Sequence, residues 1–232
     1  MMLLIRTLCC LLLGSAVLFA ADTTTTKKAK TVTREIAVVE TSLGTFEFEL
    51  LRTDAPKTVE NFAGLAAKKF FDGMRVHRIA KGFVIQTGDE KSKDPAKIRE
   101  WGTGGQSIWG TTYADELNSA APSYQKGYQR GTVAMANRGP NTNTSQFFVM
   151  LNAAPWLPKN YTIFGSVTKG MEVVDAIAAV EIVPPGAGDG RPKTDVMVNS
   201  ITVRTEAAKG DSSKGVAPKG DTTRSASGKS GK

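Results

Sequence analysis

Short apolar runs that alternate with polar residues recur through the middle of the chain, and they constrain its fold more than any other feature. Residues 45–51 alternate apolar and acidic side chains, and Leu43-Gly44, a pair typical of tight turns, separates this run from residues 35–40. Further runs of this kind are residues 75–79, 83–87, 132–136, 146–151, 162–167 and 196–203. A period of two places alternate side chains on opposite faces of a strand. The sequence therefore predicts a mainly β fold.

Two stretches have the period of a helix instead. Pro56 follows Asp54, a candidate N-cap, and the apolar residues after it fall on one helical face, as does a later group. The first group is Val59, Phe62, Ala63 and Ala66, and the second is Val173, Val174, Ile177 and Ala178. Many short strands with two helices predict a closed, mostly antiparallel barrel whose open ends are capped by the helices.

The first 20 residues are typical of an export signal. Arg6 precedes an apolar run at residues 8–18, and Ala20 lies in a small-residue exit into polar sequence. The run is shorter than the roughly 18–20 residues that span a bilayer. We therefore expect cleavage after Ala20, a periplasmic or secreted location, and no membrane span in the mature chain. Cys9 and Cys10 would leave with the signal, so we expect no disulfide in the mature protein.

Polar segments flank the predicted domain, which we place at residues 35–205. Residues 21–34 are rich in Thr and Lys and predict a flexible linker, and residues 206–232, rich in Gly, Ser and Lys, predict a disordered basic tail. Most of the net charge of +8 falls in the terminal segments of the chain. A nucleic-acid-binding domain would concentrate positive charge on its folded surface, so we expect no nucleic acid among the partners.

The residue inventory argues against several catalytic chemistries. His77 is the only histidine, and no Gly-x-Ser-x-Gly elbow accompanies it, which disfavours a Ser-His-Asp triad. A zinc site would need three or four ligands. Residues 102–105 (Gly-Thr-Gly-Gly) lack the Gly-Lys-Ser/Thr ending of a phosphate loop and predict a turn. We therefore expect a structural, hydrogen-bonded His77, and neither a metal nor a cofactor.

Apolar, aromatic and amide residues remain as candidates for a binding site. Residue type alone favours core packing for most of them, because aromatic side chains usually belong to the core. The residues that could line a pocket are Phe83, Met135, Phe148, Trp156 and Leu157. Those that could supply fixed hydrogen bonds are Arg78, Gln86, Asn137 and Gln146. Their order and spacing decide between the two interpretations.

The order and spacing of these residues resemble those of the cyclophilins. Residues 76–79 and 81–89 are similar to the strand segment that carries the family's catalytic arginine, and residues 102–108 resemble its glycine-rich turn. Residues 139–148, rich in Asn and Thr, carry the most specific similarity. The resemblance covers about residues 35–204. It implies an eight-stranded antiparallel β-barrel capped by two α-helices, and peptidyl-prolyl cis/trans isomerase activity.

The resemblance also implies which residues form the site. Arg78 would act as the catalytic cation beside an apolar floor for the proline ring, and amide and backbone groups would hold the peptide. The implied catalytic set is Arg78, Phe83, Gln86, Asn137 and Phe148. The implied substrate-binding set is Val84, Thr103, Met135, Ala136, Arg138, Gln146, Trp156, Leu157 and Tyr161.

An arginine beside an apolar pocket suits this reaction. Rotation about an X–Pro bond meets a barrier of about 18–20 kcal/mol, because the nitrogen lone pair is delocalised into the carbonyl. In the twisted transition state the lone pair localises on nitrogen, and Arg78 could donate a hydrogen bond there or to the neighbouring carbonyl. A charged hydrogen bond is worth about 1.5–3 kcal/mol, or roughly one to two powers of ten in rate. Such a mechanism needs no nucleophile, metal or cofactor.

Some functional alternatives stay open at this point. The same fold could serve as a non-catalytic chaperone or adaptor that binds proline-containing segments, although the presence of both Arg78 and Phe148 favours catalysis. Trp156 stands where the family uses an indole donor to cyclosporin A, so we expect this drug to bind, while Tyr161 and Val84 replace residues common in the family. Arg138 predicts a preference for an acidic residue two positions before proline. We expect a monomer that acts on proline-containing polypeptides.

Overall fold

A computed structural model describes residues 33–184, 186 and 188–207 of the chain. The predicted signal peptide at residues 1–20 and most of the predicted linker and tail lie outside the described residues. The strands are β1 (Thr33–Thr41), β2 (Gly44–Leu50), β3 (Met74–Arg75), β4 (Arg78–Ala80), β5 (Val84–Thr87), β6 (Thr132–Met135), β7 (Phe147–Met150), β8 (Ile163–Lys169), β9 (Ile182–Val183), β10 (Asp189–Pro192) and β11 (Met197–Ala207). The helices are α1 (Pro56–Ala67), α2 (Pro122–Lys126) and α3 (Met171–Ala179), with 3-10 turns at Glu90–Lys93 and Pro95–Lys97.

The strands form one sheet in the order β3-β11-β1-β2-β8-β6-β7-β5-β4-β10-β9, and all the strand pairs are antiparallel. The mainly β prediction is confirmed. The closed eight-stranded barrel with two helices is not confirmed in that form, because within the described ranges the sheet has eleven strands, no ladder joins its two edges, and there are three α-helices. The predicted run at residues 75–79 is divided into β3 and β4, and the elements β9, β10 and α2 are additional; each of these five elements has two to five residues. Such lengths are too short to produce a clear period in the sequence.

Two consecutive residues link the opposite sides of this sheet. Val76 and His77 connect β3, at one edge, to β4, which lies near the other edge. The Val76 backbone N–H donates to the carbonyl of Val196 at 3.0 Å, while that of His77 donates to the carbonyl of Gln86 at 3.1 Å. The sheet therefore curls until its two sides meet at this segment, directly before Arg78.

Helix α1 supplies the centre of the core beneath the curled sheet. The Phe62 ring lies 5.2–5.5 Å from four other phenylalanine rings, in tilted or perpendicular arrangements that aromatic pairs prefer. These four rings belong to Phe48, Phe71, Phe147 and Phe164, and all four are buried. Since Phe48, Phe147 and Phe164 come from β2, β7 and β8, this cluster fixes the helix against three strands.

The N-terminus of α1 is capped by a residue far away in the sequence, Glu116, rather than by a residue next to the helix. Pro56 occupies the first turn, as predicted, and the backbone N–H groups of Lys57 and Thr58 donate to the Glu116 carboxylate at 3.0 and 2.8 Å. A carboxylate at this end also favours the helix dipole. Asp54, the predicted cap, instead accepts from the Ser123 N–H at 3.0 Å, at the start of α2. The cap prediction for Asp54 is therefore wrong for α1.

The ladder between β1 and β11 extends beyond the predicted domain boundaries. Thr33 pairs with Ala207 and Arg34 pairs with Glu206 in the β1–β11 ladder. The Arg34 and Glu206 side chains also form an ion pair at 3.2 Å. Backbone hydrogen bonds between strands do not require apolar side chains. These polar residues therefore continue the two strands past residues 35 and 205, where the change in composition places the predicted domain boundaries.

Within the described part of the chain, no helix has the length and apolar character to cross a membrane.

His77 is buried where the two sides of the sheet meet. Its side chain is 7% exposed, and among the described residues neither ring nitrogen has a hydrogen-bond partner. The expected hydrogen-bonded histidine is therefore corrected to a buried, unpartnered one. Burial lowers the pKa of His77 to about 4; the Asp89 carboxylate and the neighbouring Gln146 side chain oppose this shift, and the Arg78 charge adds to it.

Because the pKa of His77 is lowered on folding, the free energy of unfolding depends on pH between about pH 7 and pH 5, above the pH range in which carboxylates titrate. The unfolded chain takes up a proton on His77 near pH 6.5, whereas the folded chain does so only near pH 4. Stability contributed by the neutral ring is therefore complete above about pH 7 and is lost as the pH falls. We expect the free energy of unfolding to drop by about 2 kcal/mol between pH 7 and pH 5.

Urea unfolding of the wild type and of His77→Leu at pH 7, 6 and 5 measures this effect. Leucine removes the titrating ring and keeps an apolar side chain of similar size, so the variant should show a nearly flat profile over this interval. Equal losses in the two proteins would assign the pH dependence to other groups.

Candidate active site

A pocket of about 240 Å³ opens on the face of the sheet where β4, β5 and β7 lie side by side. Its wall combines one cation, two amides, four aromatic side chains and three aliphatic side chains. The lining residues are Arg78, Phe83, Val84, Gln86, Ala136, Asn137, Phe148, Trp156, Leu157 and Tyr161. All ten belong to the set predicted from the sequence, and they come from four separate segments of the chain.

Strand alternation explains why these residues meet. In β5, Val84 and Gln86 face the pocket, and in β7, Phe148 does so, directly opposite Gln86 in the ladder. Their neighbours Ile85 and Phe147 point to the other face and join the main core around α1. One face of the sheet thus packs the core, while the other packs a smaller apolar cluster that forms the pocket floor.

The same alternation corrects one predicted residue. Met135 is 1% exposed and belongs to the main core cluster, whereas Ala134 and Ala136, one residue to either side, pack on the pocket side of β6. The side chain of Met135 therefore does not line the pocket. Its apolar character could not distinguish the two faces, because both are apolar at this strand.

The apolar part of the pocket has one buried side and one solvent-exposed side. The Phe148 ring is buried and meets the Tyr161 ring edge-on at 5.7 Å, which forms one wall. On the other side, the Trp156 ring lies 5.1 Å from the Phe83 ring and is 67% exposed. A buried floor with exposed aromatic edges leaves apolar surface that a ligand ring could cover.

The polar part of the pocket is a chain of hydrogen bonds between side chains. Nη1 of Arg78 donates to Oε1 of Gln86 at 3.2 Å, and Nε2 of Gln86 donates to Oε1 of Gln146 at 3.0 Å. Nε2 of Gln146 then donates to the carbonyls of Gly102 and Gly104 at 3.0 and 2.8 Å. Gln146 is buried behind Gln86, so it orients the pocket amide without lining the pocket itself.

The glycine-rich turn predicted at residues 102–105 is present and is held by a buried carboxylate. Asp89 accepts from the backbone N–H groups of Gly102 and Gly104, at 2.5 and 3.1 Å, and from that of Lys91 at 2.9 Å. A Cβ on Gly104 would lie 2.2 Å from Oδ1 of Asp89, so only glycine fits there. The amides of the turn are already used, which leaves its carbonyls to face Gln146.

Three predicted residues form the rim near this turn. The Asn137 side chain lines the pocket and donates to the carbonyl of Asn160 at 2.9 Å, while accepting from the Gly139 N–H at 3.3 Å. Arg138 is exposed, and its Nη1 donates to the Thr103 carbonyl at 2.8 Å. Thr103 and Arg138 therefore lie next to the pocket mouth and outside its lining.

One charged residue beside the pocket, Asp189, is absent from the set predicted from the sequence. Asp189 pairs with Arg78 through both carboxylate oxygens. It lies in the Gly-rich stretch before β11, where its type and spacing carry no signal that would connect it to Arg78. Only the pairing of β10 with β4 brings the two residues together.

Comparison with known proteins places this geometry in a family. The model of the cyclophilin type peptidyl-prolyl cis-trans isomerase/CLD family matches residues 36–203. The chain is 43% identical over 169 residues to peptidyl-prolyl cis-trans isomerase-like 1 of Neurospora crassa, which covers 72% of this chain and 94% of that protein. It is 42% identical over 168 residues to the human peptidylprolyl isomerase domain and WD repeat-containing protein 1, and these span 72% of this chain but only 24% of that relative's length.

Solved structures agree with the sequence comparisons. A cyclophilin-type peptidyl-prolyl cis-trans isomerase of Cryptosporidium parvum superposes with a TM-score of 0.64 at 30% identity, covering 74% of this chain and 98% of that one. A second structure of that protein, in the presence of the dipeptide Ala-Pro, gives a TM-score of 0.63. With the family model spanning residues 36–203 and the pocket formed inside that range, this chain belongs to the cyclophilin-type peptidyl-prolyl cis-trans isomerase family.

Proposed function

We propose that this chain accelerates cis/trans rotation about X–Pro bonds in exported polypeptides, with Arg78 as the catalytic residue and the pocket floor as the proline site. The observation that carries the proposal is the meeting of a cation and an apolar floor in one open pocket. The related Cryptosporidium parvum structure in the presence of Ala-Pro supports a proline-containing ligand for this fold. Phe83, Phe148 and Leu157 would receive the proline ring.

The guanidinium of Arg78 has hydrogen-bonding capacity left for a substrate. It carries five N–H groups. Among the described residues, Asp189 accepts from Nε and Nη2 and Gln86 accepts from Nη1, which leaves one N–H on each terminal nitrogen. Those two could donate to the amide nitrogen or the carbonyl of the bond before proline as the peptide twists. Donation that strengthens in the twisted state lowers the barrier selectively.

The exported location is part of the proposal and rests on the amino-terminal sequence. Arg6, the apolar residues 8–18 and the small-residue exit at Ala20 support it. Amino-terminal sequencing of the chain recovered from cells tests it: a mature protein that begins at Ala21 supports export, and an intact chain in the cytosolic fraction would contradict it.

Replacing Arg78 tests the catalytic role. We expect Arg78→Ala to lower kcat/KM for a proline-containing peptide by about tenfold to a hundredfold, the value of a charged hydrogen bond in the transition state. Arg78→Lys should stay well below the wild type, because an ammonium cannot keep the bonds of the planar fork. Isomerisation rates of the full chain, measured by NMR exchange, give the comparison.

Arg130→Ala is the matched control for that substitution. Arg130 is a similarly exposed arginine that pairs with Asp175 at 2.6 Å and lies outside the pocket. Its loss should leave turnover unchanged. Wild-type turnover in Arg78→Ala, with unchanged thermal stability, would contradict the mechanism and favour a non-catalytic chaperone or adaptor.

Cyclosporin A tests the exposed tryptophan. Trp156 is exposed at the pocket edge, so its indole N–H is available to a bound molecule. We expect cyclosporin A to bind and Trp156→Phe to weaken binding by about threefold to tenfold, the value of one neutral hydrogen bond. Calorimetry gives the affinities, and Trp109→Phe, at an exposed tryptophan outside the pocket, is the control. The absence of binding heat and of competition with peptide turnover would refute this prediction.

Arg138 provides a test of substrate preference. Its guanidinium is held at the rim by the Thr103 carbonyl, so a positive charge stands near the pocket mouth. We expect kcat/KM to follow Glu > Ala > Lys for the residue two positions before proline, with factors of up to about five for an exposed charge pair. The differences should shrink at 0.5 M salt.

The same peptides with Arg138→Ala assign the effect. The variant should lose the preference while keeping its turnover of the Ala peptide. Equal rates for the three peptides in the wild type would discard the idea, and a Glu preference that persists in the variant would assign it to another residue.

A further inference from the structure

Asp189 holds the edge of the Arg78 guanidinium that Gln86 does not contact. Its Oδ1 accepts from Nε of Arg78 at 3.0 Å, and its Oδ2 accepts from Nη2 at 2.5 Å. Two parallel bonds between a carboxylate and a guanidinium fix the plane of the fork as well as its position. The carboxylate thus binds the outer edge of the cation, while the amide of Gln86 binds Nη1.

The sheet register determines this contact. In the β10–β4 ladder, Asp189 lies opposite Ala80, and Gly190 lies opposite Ile79. Arg78 and Ala80 point to the same face because they are two residues apart in one strand. Asp189 is therefore a diagonal cross-strand neighbour of Arg78, a separation that long side chains can bridge.

The backbone on both sides of Asp189 is anchored. The Lys81 N–H donates to the carbonyl of Gly188 at 2.6 Å, and Nζ of Lys81 donates to the carbonyl of Val180 at 2.6 Å. On the other side, a Cβ at Gly190 would lie 2.5 Å from the carbonyl oxygen of Val183, so the β9–β10 hairpin closes tightly around a glycine. Asp189 thus presents its carboxylate from a fixed position.

The two possible effects of this carboxylate on Arg78 have opposite signs. It could weaken catalysis by neutralising the cation, or assist catalysis by restricting the guanidinium to one orientation. The side chains of Arg78 and Asp189 are 38% and 48% exposed, so water screens the charge of each. The orienting effect of the bidentate contact depends on geometry and survives that screening. Orientation should therefore dominate.

We propose that Asp189 is a positioning residue for the isomerase reaction, which orients the guanidinium of Arg78 so that its remaining N–H groups face the peptide bond in the pocket. The proposal rests on the function proposed for Arg78. Held at Nε by Asp189 and at Nη1 by Gln86, the fork keeps one N–H on each terminal nitrogen for the substrate. A preoriented donor needs no reorganisation during the reaction.

Substitution of Asp189 in the full chain tests the proposal. Asp189→Asn should lower kcat by about twofold to fivefold, the scale of an exposed charge pair, with KM unchanged, since the apolar floor binds the proline ring. Glu181→Gln is the control, because it breaks the ion pair of Glu181 with Lys193 beside the same hairpin and leaves Arg78 alone. It should leave kcat unchanged.

A double-mutant cycle separates this proposal from the proposed function. If Asp189 acts through Arg78, Asp189→Asn should have no further effect in the Arg78→Ala background. An unchanged or increased kcat in Asp189→Asn, or an equal loss in both backgrounds, overturns the positioning role. If Arg78→Ala loses activity in the same experiments, the catalytic arginine stands even where the positioning role fails. Wild-type activity in Arg78→Ala overturns both.

A second readout is independent of activity. In the wild type, the Arg78 Nε–H should exchange slowly with water because Asp189 accepts its hydrogen bond. Asp189→Asn should accelerate that exchange at least several-fold, measured by ¹⁵N NMR on the arginine side chain. Exchange at the same rate in both proteins would show that the pair does not hold Arg78 in solution, and would overturn the proposal.

Discussion

A guanidinium can only donate hydrogen bonds and a backbone carbonyl can only accept them, and this asymmetry orients the polar side of the pocket. The carbonyls of Gly102 and Gly104 take the N–H groups of the Gln146 amide, so its oxygen is left for Gln86 and the oxygen of Gln86 for Arg78. Reversing either amide would set donor against donor or acceptor against acceptor. The orientation of Arg78 therefore depends on the backbone of the glycine turn.

The apolar side of the pocket depends on a different constraint, the two-residue period of the strands. Phe147 and Phe148 are adjacent in β7, yet one packs against Phe62 in the main core and the other forms the pocket floor. The sheet can support a binding site because its second face is also apolar. Burial of α1 against the first face holds the strands in register, and that register places Gln86 opposite Phe148.

Features that depend on neighbouring residues in the chain could be predicted from the sequence, whereas contacts between distant residues could not. Alternation and helical periods are local, so the strands, α1 and α3 could be recognised, and ten of the predicted site residues do line one pocket. Contacts between distant segments left no local signal: Glu116 capping α1 and Asp189 pairing with Arg78 are examples. Met135 was misassigned because both faces of β6 are buried, which removes the contrast that distinguishes core from pocket.

In the proposed mechanism, Arg78 is held from both edges and donates a hydrogen bond to the peptide bond before proline. A crystal structure of the full chain with a bound Ala-Pro-containing peptide tests it most directly. We expect the proline ring to lie against Phe148 and Nη1 or Nη2 of Arg78 to lie within about 3 Å of the prolyl amide, with the Asp189 and Gln86 contacts retained. A peptide bound in the pocket with the Arg78 guanidinium turned away from the X–Pro bond would contradict it.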